Sequence, residues 1–394
     1  MNTENTAEYL QQAKACFEAN DFETALNHYR QAIMLQPACV EAYIGRGLAK
    51  QALFRYNAAI ADFNDALKIE PNNAEALICR AKLNLDTGEL KAALADFNQA
   101  IALQPQNAQL YKYRAEVKVN LNKITAAILD YNRALKLNPT DAETLLDRGI
   151  AYQYAADAQK ALADYSASIK IDPTQPAVYR QRGYLYYMQN QLEKAIADFS
   201  RAIELNPNYQ VCYRYRGDAY RIMEKYPEAL ANLNKALQLK PHDEEALFFR
   251  AMTHDLTGDI DAAINDYNKA LIFDPKLAQA WYNRAALHFG KGNYEAALND
   301  YNQAASLAPD DVTYYNRALT KQQLGLWQDA IADYTKAIEL NPTDEAYFYN
   351  RAKSFLKLGH NSAALADLNK ALDLNPENPK IAQEIALLQT NTKP

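Results

Sequence analysis

The sequence repeats itself at a fixed interval. The text from Ala195 to Pro207 (AIADFSRAIELNP) returns with small changes at Ala229 to Pro241, Ala263 to Pro275 and Ala330 to Pro342. Its closing proline falls at 37, 71, 105, 139, 173, 207, 241, 275, 309, 342 and 376, so every step is 34 residues except the 33 into Pro342. Such a period constrains the fold more than composition does. Each copy is one supersecondary unit that cannot bury its apolar face alone, so copies must stack on one another. A 394-residue chain would otherwise suggest two or three domains.

With the proline at position 32, the units run 6–39, 40–73, 74–107, 108–141, 142–175, 176–209, 210–243, 244–277, 278–311, 312–344 and 345–378. Residues 1–5 remain as an N-terminal tail and 379–394 as a capping helix and tail. Inside a unit the apolar spacing is helical rather than alternating. In the sixth, Val178, Tyr179, Gly183 and Tyr186 share one face of a first helix, and Leu192, Ala195, Ile196, Phe199 and Ala202 share a face of a second. Position 15, at the join, is Gly or Asn in eight copies, the residue types that accept the left-handed conformation ending a helix. Phe54, Ala156 and Glu224 depart from this, which leaves the turns of repeats two, five and seven less defined. The recurring proline ends the second helix, because it has no N–H to donate and disfavours helix at the residue before it. After the last repeat, Ile381, Ile385 and Leu388 recur at helical spacing, as expected of a helix that covers the open end, or of one that binds a partner.

Position 8 is Ala or Gly and position 20 is Ala in all eleven copies, while position 27 is Ala except for Ser168. Small side chains let helix axes approach, and the aromatic at position 24 (Phe63, Tyr131, Phe199, Tyr334) fills the neighbouring gap. With this pattern the chain resembles the tetratricopeptide repeat family over residues 6–378. The resemblance implies an all-α solenoid, a right-handed superhelix of helix-turn-helix hairpins whose eleven copies would enclose a long concave groove. It says less about function, because the scaffold is widely reused.

A formal charge of −6 argues against broad binding to a phosphate backbone, so no nucleic-acid partner is expected. No run of 18 apolar residues exists, so no membrane insertion is expected. The opening MNTENTAEYL carries neither a basic nor an apolar leader segment, and Cys16, Cys39, Cys79 and Cys212 fall at four different repeat positions without metal-like spacing. The expectation is free thiols in the cytoplasm. Catalytic motifs are absent or accidental: Gly290-Lys291-Gly292 lacks the upstream glycine and Ser/Thr of a phosphate loop, and Ser354 to Lys357 matches S-x-x-K in text alone. His254 and His288 share position 11 with no third ligand apparent. The chain reads as a non-enzyme with no cofactor and no metal.

The most regular charges are Arg at position 7, in ten copies, and Asp at position 23, in nine; examples are Arg182 and Asp198, Arg284 and Asp300, Arg317 and Asp333. The first repeat lacks both, with Gln12 and His28. This co-occurrence predicts a structural ion-pair ladder, within or between repeats; a track of acids is the other reading.

The resemblance implies that positions 2, 5, 6, 9, 12 and 13 of each first helix line the groove. Carried over, the candidate partner-binding residues are Arg180, Tyr184 and Tyr187 in repeat six and Arg214, Tyr215 and Arg221 in repeat seven, with Asp147 and Tyr154 added by repeat five. Tyr and Arg are frequent interface anchors, although tyrosines can also merely cover a wide groove. Tyr282 and Asn283, Tyr315 and Asn316, and Tyr349 and Asn350 recur in the last three repeats. An asparagine at each step could hold the amides of an extended peptide, or the row could be a solvated face. The family's chaperone-tail clamp does not fit, because Lys112, the only lysine at position 5, is followed by Glu116 and then by Asp147 where the pattern asks for Asn. The reading is a protein- or peptide-binding scaffold or adaptor acting through the concave groove. The alternative is a structural solenoid that self-associates as a homo-oligomer without a peptide ligand.

Overall fold

A computed structural model describes residues 2–391, which hold 23 α-helices and no strand. The chain divides into two compact units, one ending at Asn206 and the other beginning at Pro207. The first holds six helical hairpins; the second holds five and a further helix, Pro379–Asn391. Both are α-solenoids. No helix among the described residues is long and apolar enough to cross a membrane.

The hairpins are uniform. From repeat two onward each first helix has 13 residues and each second helix 14, as in Pro176–Met188 and Leu192–Leu205 of repeat six. The 33-residue step is absorbed outside the helices: residues 308–310 join Tyr294–Leu307 to Asp311–Gln323 where other repeats use four. At the N-terminus the opening helix, Asn2–Glu18, begins inside the stretch expected as a tail, and Thr6 is buried. Met1 and the tail 392–394 lie outside the described residues.

Position 15 takes a left-handed backbone in all eleven repeats, including Phe54, Ala156 and Glu224 at φ of 58°, 58° and 59°. The three turns without Gly or Asn are therefore as defined as the rest. Their geometry is imposed by hydrogen bonds that close the helix end: Phe54 N–H donates to the Gln51 carbonyl at 2.9 Å and Arg55 N–H to the Lys50 carbonyl at 2.8 Å. Together with burial of the hairpin, these bonds offset the roughly 1–2 kcal/mol that a Cβ costs in this region.

Packing follows the small positions. Ala195, Phe199 and Ala202 are fully buried, as are their counterparts in other repeats. A methyl group added at Gly47 or Gly149 would lie 2.5 Å from the ring of Phe63 or Tyr165, so glycine is set there by close approach. Ser168, the one departure at position 27, is fully buried and donates its hydroxyl to the Ala142 carbonyl at 2.7 Å. In both units first helices of successive repeats touch one another, which puts them on the inner face. The last helix buries Ile381 and Ile385 against Phe348, Ala352 and Leu368 and so caps repeat eleven.

Ala156 is exposed, so its left-handed turn isolates the backbone effect. Ala156→Gly removes the Cβ strain while adding freedom to the unfolded chain, a net gain of about 0.5–1 kcal/mol. A higher urea midpoint is expected, and a lower one would contradict the left-handed assignment.

Candidate functional site

The inner face is held by the position-7 arginines. Arg182 donates from Nε and Nη2 to the two oxygens of Asp198, both at 2.8 Å. Arg284 and Asp300 make the same two bonds at 2.7 Å each, and Arg317 and Asp333 at 2.7 and 2.6 Å. These pairs join the two helices within one repeat. The remaining nitrogen, Nη1, reaches the preceding repeat at position 25: Arg80 to Asn64 at 2.6 Å, Arg284 to Asn268 at 2.6 Å and Arg351 to Thr335 at 3.0 Å. Each of these guanidinium groups thus works both within and between repeats. Position 25 escaped the sequence reading, although Asn, Ser or Thr fills it in every copy after the first.

Position 11 also faces the ladder carboxylate. Lys118 lies 2.5 Å from Asp130 and Lys321 lies 2.7 Å from Asp333. His254 stands 4.0 Å from both Asp259 and Asp266, and burial holds the His288 pKa below its ordinary value against the pull of Asp300. Among the described residues no group of three His, Cys, Asp or Glu side chains could hold a metal ion.

In the first unit, Arg180, Tyr184 and Tyr187 stand on Pro176–Met188. The rings of Tyr184 and Tyr187 stack with centroids 6.4 Å apart, and Arg180 lies near the buried Tyr165. In the second unit, Arg214 donates to both oxygens of Asp243 at 3.0 Å, pairs with Glu245 at 2.7 Å and covers the Tyr215 ring. Arg221 pairs with Asp218 at 2.6 Å. Arg214 and Arg221, two of the three arginines expected as anchors, are therefore already neutralised by carboxylates of their own unit, so they offer a ligand a closed pair rather than an unopposed charge.

The asparagines are engaged as well. Asn316 Nδ2 donates to the Tyr282 hydroxyl at 2.9 Å, Asn350 to Tyr315 at 3.2 Å and Asn283 to Tyr267 at 3.1 Å. Tyr349 continues the chain by donating to Glu384 of the capping helix at 2.8 Å. The row links repeat to repeat instead of standing solvated, and its donors are spent on the framework. Tyr282 also lines a cavity of about 250 Å³ with Gln279, Asp310 and Val312.

A larger cavity, about 490 Å³, opens between the first helices of repeats four and five, Ala108–Asn120 and Ala142–Tyr154. Glu116, Glu143 and Asp147 line it with Lys112, Tyr131 and Tyr154. The Lys112 ammonium is buried, 2.6 Å from Glu143 and 3.7 Å from Asp147. Burial opposes its charge, but the Glu143 hydrogen bond and the nearby Asp147 and Asp141 carboxylates more than offset this and hold its pKa above the ordinary value. Desolvation, helped by Glu143 and Glu116 and opposed by Lys112, lifts Asp147 from 3.8 to about 6. The sequence placed Asp147 and Tyr154 in the groove but met Lys112 and Glu116 only in testing a clamp; the signal was an acid at each place where that pattern asks for Asn.

Family models described as tetratricopeptide repeat match residues 51–108, 150–225, 278–311, 312–344 and 346–378, and one described as TPR repeat matches 13–53, 116–154, 217–252 and 256–292. No curated protein matches the chain. Among solved structures it is similar to MamA, with 25% identity, 41% of this chain and 94% of that one covered and a TM-score of 0.39. A tetratricopeptide repeat protein from Parabacteroides merdae ATCC 43184 is 22% identical, with 63% and 98% covered and a TM-score of 0.44. Yeast Tom70 is 15% identical, with 99% and 96% covered and a TM-score of 0.40.

Two outcomes follow from these contacts. Arg182→Ala strands the buried Asp198 carboxylate and is expected to cost about 3 kcal/mol. Asp198→Asn keeps one acceptor, as Asn232 does for Arg216 in repeat seven, and should cost less. Hydrogen exchange in repeat six reads the difference, and equal losses would contradict the ladder geometry. Asp147 binds its proton more tightly in the folded chain, so its stabilising contribution is present below pH 3.8 and lost as pH rises through about 6. Asp147→Asn should therefore raise stability at neutral pH by about 1 kcal/mol, discounted for partial exposure, and the gain should vanish below about pH 4. Urea melts at the two pH values check the sign.

Proposed function

The chain is a member of the tetratricopeptide repeat family, and from that premise we propose that it is a protein- or peptide-binding scaffold whose ligand lies against the first helices. The observation that carries this reading is the cavity of repeats four and five. It stands on the inner face, where packing leaves side chains free to differ between copies, and it gathers ionisable and aromatic groups that the framework does not require. Positions 7, 8, 20 and 23 hold nearly the same residues in every copy; positions 5, 6 and 9 run from Lys112, Tyr113 and Glu116 to Tyr282, Asn283 and Ala286. A surface that is fixed in shape and variable in chemistry is suited to an extended ligand with side chains read one by one. In the second unit Tyr215, Tyr282, Tyr315 and Tyr349 supply the aromatic part of such a surface. Arg214 paired with Asp243 and Arg221 paired with Asp218 lie on the first helix of repeat seven beside it.

Selection of a displayed random-peptide library on the full chain tests the proposal. Enriched peptides are expected to bind in the micromolar range and to lose at least tenfold in affinity against Tyr113→Ala/Tyr154→Ala or Tyr282→Ala/Tyr315→Ala. Leu129→Ser, which changes an exposed residue of a second helix, should leave affinity unchanged. Equal loss in all three, or no enrichment, would overturn the groove reading. Light scattering of the same preparations reads the alternative, a self-associating solenoid, as a mass that grows with concentration.

A further inference from the structure

We propose that the cavity between the first helices of repeats four and five is the seat for one basic side chain, an arginine or lysine, of the peptide ligand. This deepens the scaffold reading and rests on it.

Charge is the first support. Glu116, Glu143 and Asp147 bring three carboxylates to the cavity and Lys112 brings one ammonium, which leaves two negative charges uncompensated when all are ionised. Lys112 engages Glu143 and Asp147, whereas Glu116 forms no ion pair and no hydrogen bond among the described residues. The chain supplies its own precedent: a primary ammonium on a methylene stem is held 2.6 Å from a carboxylate at this place. A peptide carboxylate or phosphate would instead meet uncompensated acids, so an anionic ligand is disfavoured.

A second and independent support is Tyr131. It is only 3% exposed, it lines the cavity, and its hydroxyl has no hydrogen-bond partner among the described residues. In the next repeat the equivalent Tyr165 donates to Gln153 at 2.9 Å. In repeat four the residue matching Gln153 is Val119, which offers no acceptor. The Tyr131 ring is held by packing while its hydroxyl is left for the cavity, and that oxygen can accept a hydrogen bond from a guanidinium or ammonium placed there. Val119 and Ile150 give the wall an apolar part along which the methylene stem of such a side chain can lie. The volume, about 490 Å³, falls at the small end of ligand pockets and suits one long side chain with water better than a folded partner.

The experiment is retention of the full chain on arrays of acetylated, amidated decapeptides that fix Arg, Lys, Glu or norleucine at one position and randomise the rest. Arg and Lys sets are expected to retain the wild-type chain at least tenfold better than Glu and norleucine sets. Glu116→Gln/Asp147→Asn should abolish that preference, and Tyr131→Phe should reduce it several-fold. Leu129→Ser, at an exposed position of a second helix, should keep it. Thermal melts by circular dichroism establish that each variant is folded. Retention of peptides without preference for Arg or Lys would overturn the basic-side-chain seat while leaving the scaffold reading intact; retention of no set would sink both. A preference that survives Glu116→Gln/Asp147→Asn would assign it to the general negative charge of the chain and overturn the seat. An equal response to peptides with a free N-terminal ammonium and neutral side chains would replace the side chain by a chain end, and so overturn the proposal as stated.

Discussion

A guanidinium with three engaged arms is the contact on which the rest of each unit depends. In repeats such as the third, two nitrogens of the position-7 arginine clamp the position-23 carboxylate and fix the angle between the helices of one hairpin. The third reaches the amide or hydroxyl at position 25 of the hairpin before it. A lysine could not do this, since its ammonium is a point charge without the planar fork. The carboxylates are almost wholly buried and the guanidinium groups mostly so, which means that the pair sets geometry more than it adds net stability. Where repeat seven has Asn232 instead of Asp, the bond from Arg216 Nε at 2.8 Å still joins the two helices, and the Asn232 amide donates to the Glu228 carbonyl of its own helix. Rings of Tyr, Phe or Trp lie over several of these guanidinium groups, as Trp281 does over Arg284 at 4.7 Å, so the clamp is also shielded from water.

With the framework so constrained, chemistry is confined to positions the clamp leaves alone. The constraint also reaches into that surface. Arginines and asparagines that look available in the sequence are drawn into pairs with nearby side chains of their own unit, because successive hairpins pack closely and a charged or amide group there finds a partner before it finds solvent. Arg214 with Asp243 and Glu245, and Asn316 with Tyr282, are both of this kind. What is left over is informative for that reason. At repeats four and five the partners do not balance: one lysine meets three acids, and a tyrosine meets a valine where its neighbour has glutamine. An imbalance of this kind is where binding energy can be gained, since a cationic side chain entering the cavity meets carboxylates and a phenol able to engage it.

Much of the fold was legible because it is local and repeated. Helix faces, the proline that ends each second helix and the small residues at positions 8 and 20 follow from spacing within one copy; the pairing of Arg182 with Asp198 was legible from co-occurrence between copies, which left open whether it joins helices within or between repeats. Sequence reasoning erred where a residue's role depends on a neighbour it could not see. Phe54, Ala156 and Glu224 seemed to weaken their turns, yet they adopt the same left-handed backbone because the hairpin around them fixes it. Asn64 and its counterparts went unnoticed because their partner is an arginine of the following repeat.

The sequence by itself therefore determined the unit, its two helices and the family, since a 34-residue period with small residues at the same places in every copy requires the copies to bury one another's apolar faces. Only the tertiary structure decided which polar side chains are spent and which remain. That depends on distances between successive first helices, and these bring Lys112 to Glu143 and Asp147 while leaving Glu116 and the Tyr131 hydroxyl without a hydrogen-bond partner among the described residues. Identity at a position does not encode this; proximity across repeats does.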